Sequence, residues 1–400
     1  MIGSRRSARL SSPFARRTAA ILAISLVSGL AAYGFNLLVD AFYGPQALAR
    51  VLSALGAAAT LGLPAAVVSL PVVTWSGQAH NWRRRLPAVQ AGFVVLGLIS
   101  GGGILLLGRT FPSDWLLPVG LLVALSTYLP AVSQGALVGR TAFVAAALVT
   151  MLPNVLRFAG ILVVGPHQGV STIFWVQVAS YGAAGVIGLV WPYLTSHPEA
   201  VRAVKATPWA SGWVALSVMA WLSVDIFVAT LHLGAQRAAG YAVIGLLGKA
   251  PFYLAQPVVL MVIGEEGWGS TRRGPGSLAI AAITAVSVLI SLALGHLAMH
   301  LMGVDLPGWL LAAYAVGACA LSLGYLWGGS AAQRSLHHWW PQLAACAVWV
   351  AWALLLGGGT TSLVIGYLAA QLLGAAGVVS IGWRHSAAQS GREPGGVLAN

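Results

Sequence analysis

Residues 221–262 read WLSVDIFVATLHLGAQRAAGYAVIGLLGKAPFYLAQPVVLMV, and this stretch is the most informative part of the sequence. Two apolar runs are joined by a short polar link, residues 232–238. Each run contains one charged side chain, Asp225 in the first and Lys249 in the second. An ionisable side chain inside a membrane span is costly and marks a functional-site hypothesis. The stretch therefore predicts a membrane-embedded helical hairpin that carries two candidate functional charges.

The composition of the whole chain excludes a soluble protein. The sequence is 58% hydrophobic and 7% charged, with a mean hydropathy of +0.84, whereas soluble domains are about 25% charged. The net charge of +13 does not indicate a nucleic-acid partner, because the basic residues lie in short loops between apolar runs. The chain has neither a phosphate-binding G-x-x-x-x-G-K-[ST] motif nor histidines beside carboxylates at metal spacing. We therefore expect no nucleic acid, catalytic residue, cofactor or metal.

Apolar runs long enough to cross a bilayer recur along the chain. A crossing helix needs about 20 residues, and it must be helical because lipid offers no partner to a free backbone amide. The two cysteines, Cys319 and Cys346, fall inside such runs and are expected to pack as small apolar residues. Twelve runs are predicted to span the membrane: 18–40, 47–74, 88–108, 116–138, 141–165, 170–194, 209–231, 239–264, 278–301, 307–328, 341–357 and 361–383.

The distribution of Lys and Arg predicts the orientation of these spans. With the N-terminus placed in the cytoplasm, sixteen of the 21 basic residues lie in cytoplasmic segments. The opposite loops contain two, Arg109 and Arg237, and the remaining three lie within spans. This bias indicates an even number of spans, with both termini cytoplasmic in the cytoplasmic (inner) membrane.

The chain also contains an internal repeat. Gly44-Pro-Gln-Ala-Leu-Ala49 matches Gly234-Ala-Gln-Arg-Ala-Ala239 at an offset of 190 residues, and spans 1 and 7 begin 191 residues apart. Six spans in each half give parallel repeats about an axis along the membrane normal. The predicted organisation is a basic N-terminus (1–17), an N-terminal half (18–194), a linker (195–208), a C-terminal half (209–383) and a tail (384–400).

The hairpin of the second half resembles a known family. Residues 227–242, with the segment LGAQRAAGYA, resemble the span–turn–span motif of the polysaccharide-export flippases in the multidrug/oligosaccharidyl-lipid/polysaccharide (MOP) superfamily. Residues 37–55 resemble that family's opening helices, although Arg50 stands where the family pattern has glycine. The resemblance implies a V-shaped pair of six-helix bundles that moves a lipid-linked oligosaccharide across the inner membrane by alternating access. Its implied partners are a polyprenyl-pyrophosphate-linked, anionic oligosaccharide, membrane lipids, a polysaccharide polymerase and glycosyltransferases.

The charges within the spans are the candidate cargo ligands. Asp225 and Lys249 differ in depth by about 6 Å, so they either pair across their hairpin or face the cavity between the halves. Arg157 lies deep in span 5, one turn from Asn154, where its planar guanidinium suits a phosphate or pyrophosphate. The alternative for Arg157 is satisfaction by backbone carbonyls, and Arg50 has the alternative of reaching the membrane surface.

The net positive charge of these groups favours an anionic cargo over a cationic drug. Two related functions remain open: a MATE-like drug or small-solute antiporter, and a flippase for lipid-linked peptidoglycan precursors. An enzyme such as a membrane glycosyltransferase or a polysaccharide polymerase is disfavoured, because the outer loops are too short to carry a catalytic site. A major-facilitator transporter is disfavoured because the loop after span 2 contains no acidic residue.

Overall fold

The helices of the protein follow the predicted spans. A computed structural model shows helices and, in its described residues, no strand. Gly234, in the polar link of the second hairpin, and parts of spans 2, 3, 5, 8 and 11 lie outside those residues. The described residues are 12–65, 72, 82–104, 112–140, 142–195, 208–233, 235–256, 258, 275–301, 307–332, 340–356 and 358–390.

The N-terminal half contains spans 1 to 6. Span 4 consists of three consecutive helical segments, and the other spans are each represented by one helix. The elements are α1 (Ser12–Tyr43), α2 (Pro45–Leu61), α3 (Trp82–Gly102), α4 (Ser113–Val123), the π-helical segment π1 (Ala124–Tyr128), α5 (Leu129–Gly139), α6 (Phe143–Val164) and α7 (Ser171–Thr195).

The C-terminal half contains spans 7 to 12. Its span 8 continues beyond its first helix through helical residues 250–256. The last helix extends beyond the predicted end of span 12 into the segment assigned to the tail. The elements are α8 (Pro208–His232), α9 (Ala235–Gly248), α10 (Pro275–Leu301), α11 (Gly308–Ala332), α12 (Trp340–Leu356) and α13 (Thr360–Ser390).

Seven of the described helices are long and apolar enough to cross a membrane. Three shorter apolar helical segments, Leu216–Ala229, Gly308–Ser322 and Trp340–Leu355, belong to spans 7, 10 and 11. Their backbone polar groups are bonded within each helix, which is what a hydrocarbon environment demands. The all-α membrane architecture is therefore confirmed.

A glycine makes the turn of the first hairpin. Gly44 adopts φ 83°, a backbone conformation that favours glycine, and so reverses the chain between α1 and α2. Pro45 then begins α2, where its missing N–H costs no helical hydrogen bond. The hydroxyl of Tyr43 donates to the carbonyl of Gly165 at 2.9 Å. This bond joins the turn to the C-terminal end of α6.

Span 4 differs from the single regular helix that its sequence predicts. The five residues Ala124–Tyr128 form a π-helical segment between α4 and α5. Pro130 lacks the N–H that would bond the carbonyl of Ser126, which weakens the regular helical pattern at this point. Single-turn π-bulges of this kind are frequent at functional sites, and Ser126 and Thr127 of π1 both line the central cavity described below.

The two halves repeat the same pattern of helix contacts. In both halves, the first and second, first and fifth, second and fourth, third and fourth, fourth and sixth, and fifth and sixth spans pack against each other. Because these six helix pairs recur in both halves, the internal repeat is a property of the packing as well as of the sequence. The two parallel six-helix repeats predicted from the sequence are thus present in the fold.

The halves meet along the first hairpin of each repeat. α2 packs against α8 and α9, and the hydroxyl of Tyr33 on α1 donates to the carbonyl of Leu246 on α9 at 3.2 Å. A Cβ added at Gly56 would lie 3.0 Å from a side-chain methyl of Ile226, so glycine permits a close approach here. We call this contact of α2 with α8 and α9 the inter-half seam.

Candidate functional site

A cavity of about 760 Å³ lies between the two halves. Its walls come from α1, α2, π1, α5, α6 and α7 on one side and from α8, α9, residues 250–256 and α10 on the other. Along α2, Ala57 and Ala58 are buried, whereas Ala59 and Gly62 line the cavity. The seam therefore closes one end of the cavity, and the cavity itself lies toward the C-terminal end of α2. The positive-inside rule predicts that this end faces the cytoplasm.

Arg157 is the one charged residue among the described residues that line this cavity. It follows Pro153 by one turn of α6, and it is 9% exposed. Its Cζ lies 5.0 Å from the centroid of the Phe35 ring, a cation–π contact. No described residue accepts a hydrogen bond from its guanidinium, and its Nε is buried without a partner. Within the described structure, its hydrogen-bond donors are available to an anionic ligand.

Asn154 lines the same wall one turn before Arg157. Its Nδ2 donates to the Ser28 hydroxyl on α1 at 2.7 Å, which orients the amide between α1 and α6. Further along the wall, Gln134 on α5 donates from Nε2 to the Thr150 hydroxyl on α6 at 2.5 Å. Thr150, Asn154 and Arg157 are four and three residues apart in turn, so they lie on one face of α6.

Lys249 and Asp225 form an ion pair inside the C-terminal half. Lys249 Nζ lies 2.5 Å from Asp225 Oδ1 and also donates to the carbonyl of Leu222 at 3.0 Å. The Tyr314 hydroxyl donates to the other carboxylate oxygen of Asp225 at 2.8 Å. Neither charged residue is among the described residues that line the cavity. The structure thus contains the pairing across the hairpin that the sequence left open.

Aromatic rings surround this ion pair. The Lys249 ammonium lies 5.8 and 5.7 Å from the ring centroids of Tyr314 and Tyr367. The Tyr367 hydroxyl donates to the carbonyl of Trp221 at 2.6 Å. The two charged residues, Lys249 and Asp225, are 2% and 1% exposed. Asp225 lies on α8, Lys249 directly follows α9, and the two tyrosines lie on α11 and α13. The cluster therefore holds four elements of one half together.

Arg50 lies apart from the other candidates. It is exposed on the first turns of α2 and is not among the described residues that line the cavity. The structure thus brings Arg157 and Asn154 together at the cavity, pairs Lys249 with Asp225 away from it, and leaves Arg50 at the surface.

Thr150, Ser28 and Gln134 also line the cavity, although none of them was predicted from the sequence to bind cargo. The spacing of Thr150, Asn154 and Arg157 in span 5 was a usable signal, because residues three and four apart share a helix face. Ser28 and Gln134 come from other helices, and no local pattern indicates which of their neighbours they contact. The partner of the ion pair, Tyr314, is 65 residues from Lys249 in sequence and carries no local signal either.

An internally repeated helical membrane fold with a cavity between its halves is typical of transporters. No protein-family model and no curated protein sequence matches the chain. Solved transporter structures do match it over nearly its whole length. The structure of the MATE multidrug transporter DinF-BH in complex with R6G is 14% identical, covers 96% of this chain and 98% of its own, and has a TM-score of 0.65.

Two further solved structures give the same result. The crystal structure of MATE in complex with MaL6 is 15% identical, with a TM-score of 0.57. An outward-facing multidrug resistance MATE family transporter of the MOP superfamily is likewise 15% identical, with a TM-score of 0.57. Each covers 94% of this chain and 97% of its own. The chain therefore has the fold of MATE-type membrane transporters, which confirms the predicted fold class.

Proposed function

We propose that the protein moves an anionic, lipid-linked oligosaccharide across the cytoplasmic membrane by alternating access, with both termini in the cytoplasm. The proposal concerns the cargo, since the transporter fold alone does not distinguish a drug from a lipid-linked saccharide. The main support for it is Arg157, a deeply placed cation that has no described hydrogen-bond acceptor. The described residues that line the cavity around it include no acidic residue. A cavity with this charge favours an anion such as a lipid pyrophosphate over a cation.

The edges of the cavity also suit a cargo with an apolar chain. Leu26 and Leu30 of α1 line the cavity and are 43% and 54% exposed. Leu297 and Leu301 of α10 also line it and are 52% and 63% exposed. Apolar side chains that are both exposed and cavity-lining can contact a lipid tail while the polar headgroup lies inside. We infer that the polyprenyl chain stays at this edge, and that glycosyltransferases and a polysaccharide polymerase act before and after transport.

Translocation in proteoliposomes tests this function. The cargo is a fluorescent polyprenyl-pyrophosphate-linked saccharide, whose accessibility to a membrane-impermeant quencher reports its movement. Arg157→Gln is expected to slow translocation by about tenfold to a hundredfold, because a hydrogen bond to a charged group contributes about 1.5–3 kcal/mol. Arg50→Gln, which removes an arginine outside the cavity, is the matched control and is expected to retain the wild-type rate. Equal rates for Arg157→Gln and the wild type would contradict the proposal.

The second candidate is a MATE-like exporter of drugs or small solutes. The likeness to DinF-BH, whose structure contains R6G, favours it. R6G efflux from the same proteoliposomes distinguishes the two candidates. If the protein is a flippase, we expect no R6G efflux that depends on Arg157. A flippase for lipid-linked peptidoglycan precursors would handle the same anionic linkage. Competition between cargoes that share the pyrophosphate but differ in the sugar distinguishes that function.

A further inference from the structure

The two walls of the cavity differ in their chemistry. On the N-terminal side, α6 presents Thr150, Asn154 and Arg157 along one face. On the opposite side, α8 and α9 present mainly apolar residues. The polar Ser223 on that side donates its hydroxyl to the carbonyl of Met219 in its own helix. The apolar residues of this opposite wall are Val218, Met219, Leu222, Leu246 and Leu247.

Hydrogen-bond directions on the polar wall follow from the Thr150 hydroxyl. Thr150 donates to the carbonyl of Ala146 at 2.9 Å, so its oxygen must accept the hydrogen bond from Gln134 Nε2. Asn154 likewise uses Nδ2 to donate to Ser28. Each amide thus uses one N–H in a hydrogen bond within the wall itself. No described residue donates to Gln134 Oε1 or to Asn154 Oδ1, so each amide keeps its carbonyl oxygen and one N–H for a ligand.

This wall is preorganised for a ligand rich in hydroxyl groups. The two amides are held by hydrogen bonds within the wall, so ligand binding does not carry the entropic cost of ordering these side chains. A carbonyl acceptor beside an N–H donor complements a sugar hydroxyl, which both donates and accepts. Thr150 and Arg157 are seven positions apart, which corresponds to about 10 Å along α6. A short saccharide attached to an anionic group fits this separation.

We propose that Gln134 and Asn154 form a saccharide-binding stripe that contacts the first sugars of the cargo, while Arg157 holds the anionic linkage. The proposal rests on the function proposed above and adds to it the position and chemistry of the sugar contacts. The cargo sugars lie toward the N-terminal end of α6, and the anionic group lies farther along α6, toward its C-terminal end. The apolar wall of α8 and α9 makes no comparable polar contacts with the sugar.

Two probes separate the sugar contacts from the anion contact. Hexyl maltoside, below its micelle concentration, offers a neutral disaccharide with a short apolar chain. Farnesyl pyrophosphate offers the anionic group and an apolar chain without a sugar. Binding of each probe to the full-length protein in lipid nanodiscs is measured by titration calorimetry. Empty nanodiscs provide the correction for partition into lipid.

The stripe variants are Gln134→Met and Asn154→Leu, alone and combined. Each is expected to weaken hexyl maltoside binding by about three- to tenfold, the size of one neutral hydrogen bond, and to leave farnesyl pyrophosphate binding within twofold of wild type. Arg157→Gln is expected to show the opposite pattern. Gln256→Met, which removes a cavity-lining amide on the C-terminal side, is the matched control and is expected to change neither.

The binding results distinguish the saccharide-binding stripe from the proposed transport function on which it rests. Unchanged hexyl maltoside binding in the combined variant, with Arg157-dependent farnesyl pyrophosphate binding intact, would overturn the stripe and leave the anionic cargo standing. If Arg157→Gln binds farnesyl pyrophosphate as tightly as the wild type does, the result would count against the proposed function, even if the stripe variants bind hexyl maltoside more weakly. Thermal unfolding verifies that each variant is folded. If Asn154→Leu unfolds at a lower temperature, Asn154→Ala and Thr150→Val give the same comparison.

Discussion

Lys249 and Asp225 illustrate how neighbours decide the role of a buried charge. Each charge would be costly alone in the membrane. Together they have a direct contact, a backbone carbonyl, a tyrosine hydroxyl and two aromatic ring faces. Arg157, by contrast, has one ring face and no described hydrogen-bond acceptor. The structure therefore separates a buried ion pair from a cavity-lining charge without a described hydrogen-bond acceptor, which is the charge that the proposed function assigns to the cargo.

We expect Lys249→Met to destabilise the protein more than the double variant Lys249→Met/Asp225→Asn. Removing the lysine alone leaves a buried carboxylate uncompensated, a loss of about 3–5 kcal/mol. Replacing Asp225 with neutral asparagine removes that penalty and keeps an acceptor for Tyr314. Thermal unfolding in detergent measures both variants. If the double variant is no more stable than the single one, the charge pairing does not account for the stability.

Among the helices, small residues set how closely neighbours approach. Gly101 on α3 and Gly120 on α4 meet so closely that a Cβ at Gly101 would overlap the carbonyl oxygen of Gly120. Glycine permits such backbone contact between membrane helices. The Gly120 carbonyl belongs to the backbone and cannot move aside as a flexible side chain would. This close crossing therefore holds α3 and α4 together.

We expect Gly101→Ala to lower stability by about 1–3 kcal/mol through overpacking. Gly92→Ala on the same helix is the matched control, because a Cβ there meets no atom within 4 Å. Alanine also has a higher helix propensity than glycine, so the control substitution is expected to be neutral or slightly stabilising. The midpoint of thermal unfolding measures both effects. Equal midpoints for the two variants would show that α3 and α4 approach less closely than the structure indicates.

In the whole molecule, the inter-half seam keeps one end of the cavity closed. α2 packs against α8 and α9, and the buried face of α2 is formed mostly by small residues. A transporter that alternates access must separate this seam to expose the cavity on the other side. Gly56 and Ile226 lie at its centre, where an ideal Cβ on Gly56 is 3.3 Å from the Cβ of Ile226.

We expect Gly56→Cys/Ile226→Cys to form a disulfide on oxidation, because the Cβ separation at these positions is only slightly shorter than the about 3.5–4.5 Å of disulfides, and a small shift of α2 away from α8 brings it into that range. Oxidation is expected to stop translocation, and reduction is expected to restore it. Cys319 and Cys346 are first replaced by alanine, and each single-cysteine variant serves as a control. The bond is measured by mass spectrometry and transport by the quencher assay. Full transport with the disulfide formed would mean that the seam does not open during the cycle.

The spans, their number and the repeat could be predicted from the sequence alone, because these depend on local chemistry. Apolar runs of about 20 residues must be helical in lipid, and the same six-span order occurs twice. The sequence also marked Arg157 and Asn154, since a deep charge and its neighbour one helical turn away are visible in one run. Residue type alone also drew attention to Lys249, Asp225 and Arg50.

Which of these charges have hydrogen-bond partners depends on contacts between helices that are distant in sequence. Lys249 meets Asp225, Tyr314 and Tyr367 because four helices converge, and no local pattern records that convergence. Gln134 and Ser28 reach the wall of α6 from separate helices, and Ser126 and Thr127 of the π-helical segment in span 4 line the cavity. A span's composition determines that it enters the membrane. Packing between helices determines which side chain finds a partner and which one is left to face the cavity.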